Sequence, residues 1–421
     1  MNATAQAAGF SDQEISDAWI YLLARLLIAR QQQVDFDREG FAWNTLVHRK
    51  PGQVDWPNPN LDVAYSECWV SIDEESCLLV TVPPIQGRYY TVEFLNGWGE
   101  TLANINEREF LDHPNGLFAI VLNGSGVDTP PDAQRVELSE RITRVLLRVE
   151  LGADWDEAVA LQHQFTFEMR GNPPEPEIPR TVMFDMEALP GVEAFESAVL
   201  ALDSYPDTNR GMEKVQADVR GVAEAVKDPA VRARIDRVIR QKAFRDFAAA
   251  SPNIGHGTVR HNWARPACCG HFGEDWLTRA LVNFAGIWAN TFDEVIYYKG
   301  NLDKDGNQIN GASSYSLTFP ADDMPGKYAH YFWSIIAVDT RHMRVLPNPM
   351  HKYLLNRESG LEYDADGSLT MWFGPEKPED VPENNWLPTL GGTDYRFTFR
   401  FYGPLGAVAD GSYYPPPIVR R

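Results

Sequence analysis

A carboxylate, a guanidinium and phenols stand close together in the first quarter of this sequence: Asp62, Tyr65, Arg88 and Tyr89, with Tyr90 beside them. Gathered in a cleft, such groups do acid–base work on a polar substrate. A carboxyl with a raised pKa takes or gives a proton, a guanidinium clamps an anion, and phenols donate protons or anchor hydroxyls. The structural alternative is an aspartate that caps a turn and an arginine paired with a neighbour. A second polar and aromatic set, Trp333, Asp339, Asn348, Asn385, Trp386, Arg400 and Tyr402, could stack on a sugar or ring and orient it through amides. Core and corner packing is its alternative; Asn385-Trp386-Leu387-Pro388 also reads as a fixed loop whose amide satisfies backbone groups. Trp98 joins the candidate ligand-binding residues, as does Arg279, on an expected helix where a plain ion pair is the alternative.

Soft ligands occur in one cluster, His256, His261, Cys268, Cys269 and His271. Zinc needs thiolates and neutral imidazoles at tetrahedral reach; adjacent cysteines rarely both reach one ion, and no CxxC or HxxxH supports them. No metal site is expected there, but a buried thiol pair beside loop histidines. A nucleophilic Cys268 or Cys269 assisted by His271 would need a geometry that spacing does not supply. Asp303-Lys304-Asp305-Gly306-Asn307 lacks the downstream Glu of a calcium loop and reads as a hairpin turn. No GxSxG, Walker loop or GxGxxG following a strand occurs, which argues against a hydrolase elbow, a nucleoside-triphosphate site and a dinucleotide fold. No cofactor is expected.

The elements that must position these residues are mostly strands. Ser11-Asp12-Gln13-Glu14 is a capping box, and Ile15, Trp19, Leu22, Leu23, Leu26 and Leu27 follow at helical spacing, so one amphipathic helix opens the chain. Prolines then punctuate short apolar runs at 68–72, 77–82, 89–95, 117–122 and 141–151, which predict a small β-sandwich over 40–170. The proline-rich stretch 171–179 marks a connector, and 192–250 turns helical, with Val231, Ile235, Val238 and Ile239 as a buried stripe. A further helix is expected over 276–288. Runs at 311–319, 329–338, 367–373 and 395–402, separated by Asp-Gly and Gly-Gly turns, predict a second sandwich, plausible as a jelly roll, over 291–421. The expected architecture is therefore mainly β with helical parts (α+β), with segments 1–39, 40–170, 171–290 and 291–421.

Two blocks carry a family resemblance. Pro57-Asn58-Pro59-Asn60-Leu61-Asp62-Val63-Ala64-Tyr65-Ser66 and then Gly87-Arg88-Tyr89-Tyr90 resemble the hallmark of the domain of unknown function 1254, with Val63 where Thr is usual and Asn96-Gly97-Trp98 at the later acidic-aromatic element. Phe332-Trp333-Ser334, Val338-Asp339, Asn348, Asp366-Gly367-Ser368-Leu369, Asn385-Trp386-Leu387-Pro388, Arg400-Phe401-Tyr402 and Pro415-Pro416-Pro417 are similar, in order, to the domain of unknown function 1214. Asp275-Trp276-Leu277-Thr278-Arg279-Ala280, just upstream, is similar to the segment that usually precedes it. The resemblance implies two β-domains, the second jelly-roll-like, and no settled activity.

Lys plus Arg number 38 against 59 Asp plus Glu, a formal net charge of −21, so nucleic acid and anionic membranes are not expected partners. The apolar stretch 20–29 is interrupted by Arg25 and too short to span a bilayer. The first ten residues lack a signal-peptide pattern, and four cysteines without a disulfide framework fit a reducing, cytoplasmic setting. The expectation is a cofactor-independent enzyme of small-molecule metabolism, hydrolase or lyase, with a cleft between the β domains. In it Asp62 is the base or orienter, Tyr65 and Tyr89 are proton donors, Arg88 is the anion clamp, and Trp333 and Trp386 are walls. The rival is a non-catalytic protein that binds a glycan or small ligand. A homo-oligomer or scaffold docking through Trp19 and Ile20 would require those side chains to be exposed.

Overall fold

The computed structural model describes residues 9–52, 58–389 and 391–421; Pro57 of the first motif and residues 1–8 lie outside them. It is an α+β protein. The first helix, α1 (Asp12–Arg38), starts on the expected capping box: the Ser11 hydroxyl accepts from the Glu14 amide, and the Glu14 carboxylate accepts from the Ser11 amide. Strands β1 (Val47–His48) to β9 follow as β2 (Val63–Ser71), β3 (Cys77–Val82), β4 (Tyr90–Leu95), β5 (Thr101–Ile105), β6 (Gly116–Leu122), β7 (Gln134–Leu138), β8 (Ile142–Glu150) and β9 (Thr166–Arg170), with α2 (Trp155–Gln162) before the last. They form a five-stranded sheet ordered β1-β2-β8-β4-β5 and a four-stranded sheet ordered β7-β6-β3-β9. Alternation sends Cys68, Val70, Val145, Leu147 and Val149 of one sheet against Leu78, Val80, Phe118 and Ile120 of the other, in a single apolar core.

Helices α3 (Ala198–Ser204), α4 (Glu213–Ala225), α5 (Pro229–Val238), α6 (Phe244–Ala250) and α7 (Trp276–Gly286) make the helical middle. They do not stand alone. α1 runs among them, and its residues on every side, Trp19 and Ile20 included, are buried in a core shared with Phe195, Leu202, Val219, Ile235 and Leu281. The docking face expected at Trp19 and Ile20 is thus already occupied from within the chain: the Trp19 indole donates to the Pro190 carbonyl (2.8 Å) and its ring meets Phe244 at 5.0 Å.

The second β region begins earlier than its sequence signals suggested, with β10 (Thr258–Arg260) and β11 (Trp263–Arg265). It continues with β12 (Val295–Gly300), β13 (Tyr315–Phe319), β14 (Ala329–Asp339), β15 (Leu354–Asn356), β16 (Leu369–Gly374), β17 (Trp386–Pro388), β18 (Tyr395–Pro404) and β19 (Val419–Arg420). Six strands, β10-β11-β12-β18-β14-β15, form one sheet and four, β17-β16-β13-β19, the other. Phe397, Phe399 and Phe401 on β18, with Trp333 and Ile335 on β14, face Leu317, Phe319, Met371 and Phe373 of the smaller sheet. Each such side chain, once buried, contributes about 1.5–3 kcal/mol. No helix among the described residues is long and apolar enough to cross a membrane.

Candidate functional site

β18 alternates strictly: its odd-numbered aromatics fill the core, which leaves Arg396, Thr398, Arg400 and Tyr402 on the opposite face. β12 pairs antiparallel with it, Tyr297 opposite Arg400 and Lys299 opposite Thr398, so Tyr297 and Lys299 join that face. Across from it lies the free face of the first region's larger sheet, where Tyr65 on β2 and Arg148 on β8 are cross-strand partners. The end of α7 and the turn after it close one side through Leu281, Ala285, Gly286 and Trp288. The cavity between the two faces measures about 70 Å³ and opens at a rim that includes exposed Ser251 and half-buried Asn301.

Among the described residues its lining holds three guanidinium groups, Arg148, Arg396 and Arg400, the amine of Lys299, and no carboxylate. Arg148 is neutralised from behind by an ion pair with buried Glu93. The other three have no carboxylate at ion-pair distance among the described residues: Lys299 Nζ donates to Thr398 Oγ1 (3.1 Å), and Arg400 Nη2 donates to the Asn58 and Pro59 carbonyls (2.7 and 3.2 Å). Arg400 Nη1 and Arg396 Nε and Nη2 are buried without a hydrogen-bond partner. Burial, with Arg396 and Arg400 nearby, pushes the Lys299 amine well below the ordinary lysine range, and burial brings Arg396 down to about 10. Tyr65, Tyr297 and Tyr402 are pushed up by burial and keep their protons; so does the Cys269 thiol on the same wall.

The loop that begins at Asn58 ties the two regions together. Asn58 sits at φ +53° and accepts from Thr398 Oγ1 (2.7 Å), and the Asn60 amide donates to the Tyr402 hydroxyl. Asn58 and Asn60 line the cavity, while Leu61 and Asp62 line a larger recess of about 770 Å³, so one loop walls both. In that recess Asp62, 5% exposed, accepts from Asn356 Nδ2 (2.8 Å), and burial raises its pKa. The guanidinium present there is Arg357, paired with Glu150 (3.0 Å), and Phe332 supplies an aromatic wall.

The expected site residues therefore divide. Tyr65, Arg400 and Tyr402 meet at the cavity, and Asp62 stands across the loop from them. Arg88 lines neither space: it donates to the Glu150 and Leu151 carbonyls (2.6 and 2.8 Å) and pairs with Glu157, the structural alternative. Tyr89 is fully buried and donates to Glu294 (2.9 Å), itself held by Arg108. Trp98 and Arg279 belong to a strut under the helices: Arg279 lies 4.4 Å over the Trp98 ring and pairs with Asp207 and Glu100. Trp333 packs in the second core near Phe399, and Trp386 donates to the Gly374 carbonyl, so they do not form the two walls of one cleft. Asp339 accepts from the amides of Arg341 and Arg344, Asn348 ties to Lys352, and Asn385 holds Glu362 and Thr370, all as loop braces.

Of the soft-ligand cluster, His256 meets Asp275, His261 faces the Pro415 carbonyl and His271 the Thr101 carbonyl; no metal-holding group of three or more acidic, His or Cys side chains exists among the described residues. Asp303 accepts from the amides of Asp305 and Asn307 in a turn. Sequence reasoning missed Lys299, Arg396, Arg148 and Tyr297. Their signal was the alternation Tyr395-Arg396-Phe397-Thr398-Phe399-Arg400-Phe401, which announces a cationic face behind an aromatic one.

Two family models match the chain, one described as a protein of unknown function (DUF1254) over residues 43–169 and one as a protein of unknown function (DUF1214) over residues 294–406. Among solved structures the chain is similar to the VPA0106 protein from Vibrio parahaemolyticus, with 17% identity and a TM-score of 0.62 over 97% of this chain and 99% of that one. An uncharacterized protein from Burkholderia cenocepacia matches with 13% identity and a TM-score of 0.46, over 100% of this chain and 92% of that one. The Vibrio likeness is one of fold alone. No curated protein matches. Covering more than half of the sequence between them, and in the order its motifs announced, the two models show that the chain belongs to the proteins that join an N-terminal DUF1254 domain to a C-terminal DUF1214 domain.

Proposed function

We propose that this chain is a cofactor-independent enzyme of small-molecule metabolism, a hydrolase or lyase, whose substrate is a small organic anion held in the cavity between the two β regions. One observation carries the reading: in a protein of net charge −21, the cavity gathers Lys299, Arg396 and Arg400 without a carboxylate partner. Unpaired buried guanidinium groups, such as those of Arg396 and Arg400, are costly, and a bound carboxylate with bidentate geometry relieves that cost. Tyr65, Tyr297 and Tyr402 supply hydroxyl donors around the anion, and Asp62, which burial makes easier to protonate than an exposed aspartate, is the base or orienter in the neighbouring recess, across the loop from the cavity. In the same reading the facing sheets of each region are β-sandwiches, the second of jelly-roll type, the domains run over 40–170 and 291–421 around a helical segment at 171–290, and the protein works in the cytoplasm.

The test is a thermal-shift titration of the full chain with acetate, lactate and pyruvate, each set against its neutral amide. Preferential binding to the native state raises the midpoint by mass action. The expected result is stabilisation by the acids and not the amides, lost in Arg400→Leu. Equal behaviour of acids and amides, or an undiminished acid effect in Arg400→Leu, would overturn the proposal.

A further inference from the structure

Among the described residues Lys299 is the one primary amine that lines the cavity, and its surroundings differ from those of a lysine kept for an ion pair. Its strand partner is Thr398, and Arg396 and Arg400 stand two residues to either side on the same face of β18. Burial and two guanidinium groups on adjacent positions, with no carboxylate in the lining among the described residues, disfavour the charge on the one member able to shed it at ordinary pH. Guanidinium groups stay charged, so the arginines are left as the anion clamp and the lysine as a free amine with a lone pair. A cavity of about 70 Å³ suits a small molecule such as a short oxo acid.

We infer that Lys299 forms an imine with the carbonyl carbon of a short oxo acid whose carboxylate rests on Arg396 and Arg400. The inference rests on the organic-anion reading above and names its substrate class and covalent step. The Nζ lone pair makes the N–C bond while one N–H proton passes to the former carbonyl oxygen. The C–O bond then breaks, the second N–H proton leaves on that oxygen, and one water departs from a C=N bond. The phenols of Tyr65, Tyr297 and Tyr402 are the hydroxyl donors on the cavity wall that can hydrogen-bond the departing oxygen. Protonated in place, such an imine draws electrons from the bond beside it, which is lyase chemistry without an added cofactor.

The test uses the full chain with pyruvate, acetoacetate and levulinate in turn, each with and without sodium borohydride, which delivers hydride to an imine carbon and fixes it as a secondary amine. Intact mass and peptide mapping read the adduct. The expected result is a single adduct, on Lys299, with at least one of the acids. It should be absent from Lys299→Arg and Lys299→Met and at least tenfold weaker in Arg400→Leu. No adduct, with the same acids still raising the wild-type thermal midpoint, would overturn the imine and leave the anion site standing. Neither adduct nor thermal shift would overturn both. Labelling spread over surface lysines and unchanged in Lys299→Arg would show nonspecific capture and overturn the imine. Because the decisive measurement is made on the wild-type chain, a variant that folds poorly does not protect the inference.

Discussion

Two sheet faces meet at the junction of this molecule, and both carry buried charge, but they handle it differently. On the first region's face the charges are matched: Arg144 pairs with Glu67 and lies 3.5 Å from Asp35, and Arg148 pairs with Glu93. Arg144 also lies over the rings of Trp69 and Trp288. On the second region's face Lys299 finds a hydroxyl and Arg400 two carbonyls, Arg396 keeps two buried nitrogens without a hydrogen-bond partner, and none of the three has a carboxylate at ion-pair distance among the described residues. A matched set holds structure, because removing one member strands the other in low dielectric. In the function proposed above, the unmatched set is what a bound anion would complete.

That contrast is open to breaking. The largest effect is expected for Arg144→Leu, which leaves buried Asp35 without a cation and Glu67 with Arg49 alone, and should lower stability by about 3–5 kcal/mol in a denaturant titration. A loss under about 1 kcal/mol would mean that the first face is no better matched than the second. Arg88→Ala removes two charged bonds to carbonyls and should cost about 1–3 kcal/mol while leaving the response to carboxylates intact; a lost response would return Arg88 to the site.

Lys299→Met sharpens the comparison from the other side. The folded pKa of Lys299 lies below its unfolded value, so its contribution to stability is complete above the unfolded pKa and is lost as pH falls toward the folded one. At neutral pH the amine is therefore a liability next to Arg396, Arg400, Cys269 and Tyr297. The methionine variant should gain on the order of 1 kcal/mol there, with the gain shrinking as pH approaches the ordinary lysine value. A net loss of stability would show that Lys299 is structural. The smallest and most local change concerns Asp35, raised to about 6 by burial against the pull of Arg144. Its stabilisation is complete below the unfolded value near 4 and is lost as pH rises through about 6, so Asp35→Asn should flatten that limb of a pH–stability curve. In parallel, Asp62→Asn with unchanged kcat on any substrate found would remove Asp62 from the acid–base role.

Most elements were legible because their signals are local. The capping box at Ser11 and the run at Cys77–Val82 needed only neighbouring residues. The site was less legible because it is made by register. Lys299 gains its meaning from lying opposite Thr398, about a hundred positions away, and Asp62 from reaching Asn356, 294 positions away. Arg88 and Trp333 misled for a related reason: a motif shared by a family marks what the fold needs as readily as what the chemistry needs, and Arg88 is spent on two carbonyls and a surface glutamate. The alternation on β18 was the local clue to its cationic face, but without its partner strand it could not say what that face opposed.

The first helix has a consequence for how the chain is made. α1 is made before most of the residues that cover it, which run from Phe195 to Leu281 and follow roughly two hundred positions later. At ordinary synthesis rates that is about ten to forty seconds in which Trp19, Leu22 and Leu26 lack most of their native cover. The emerging first β region can assemble its own two-sheet core in that interval. The helix ahead of it must be shielded by a holding chaperone or wait as a sticky leader, and the yield of active protein in the cell should be set there.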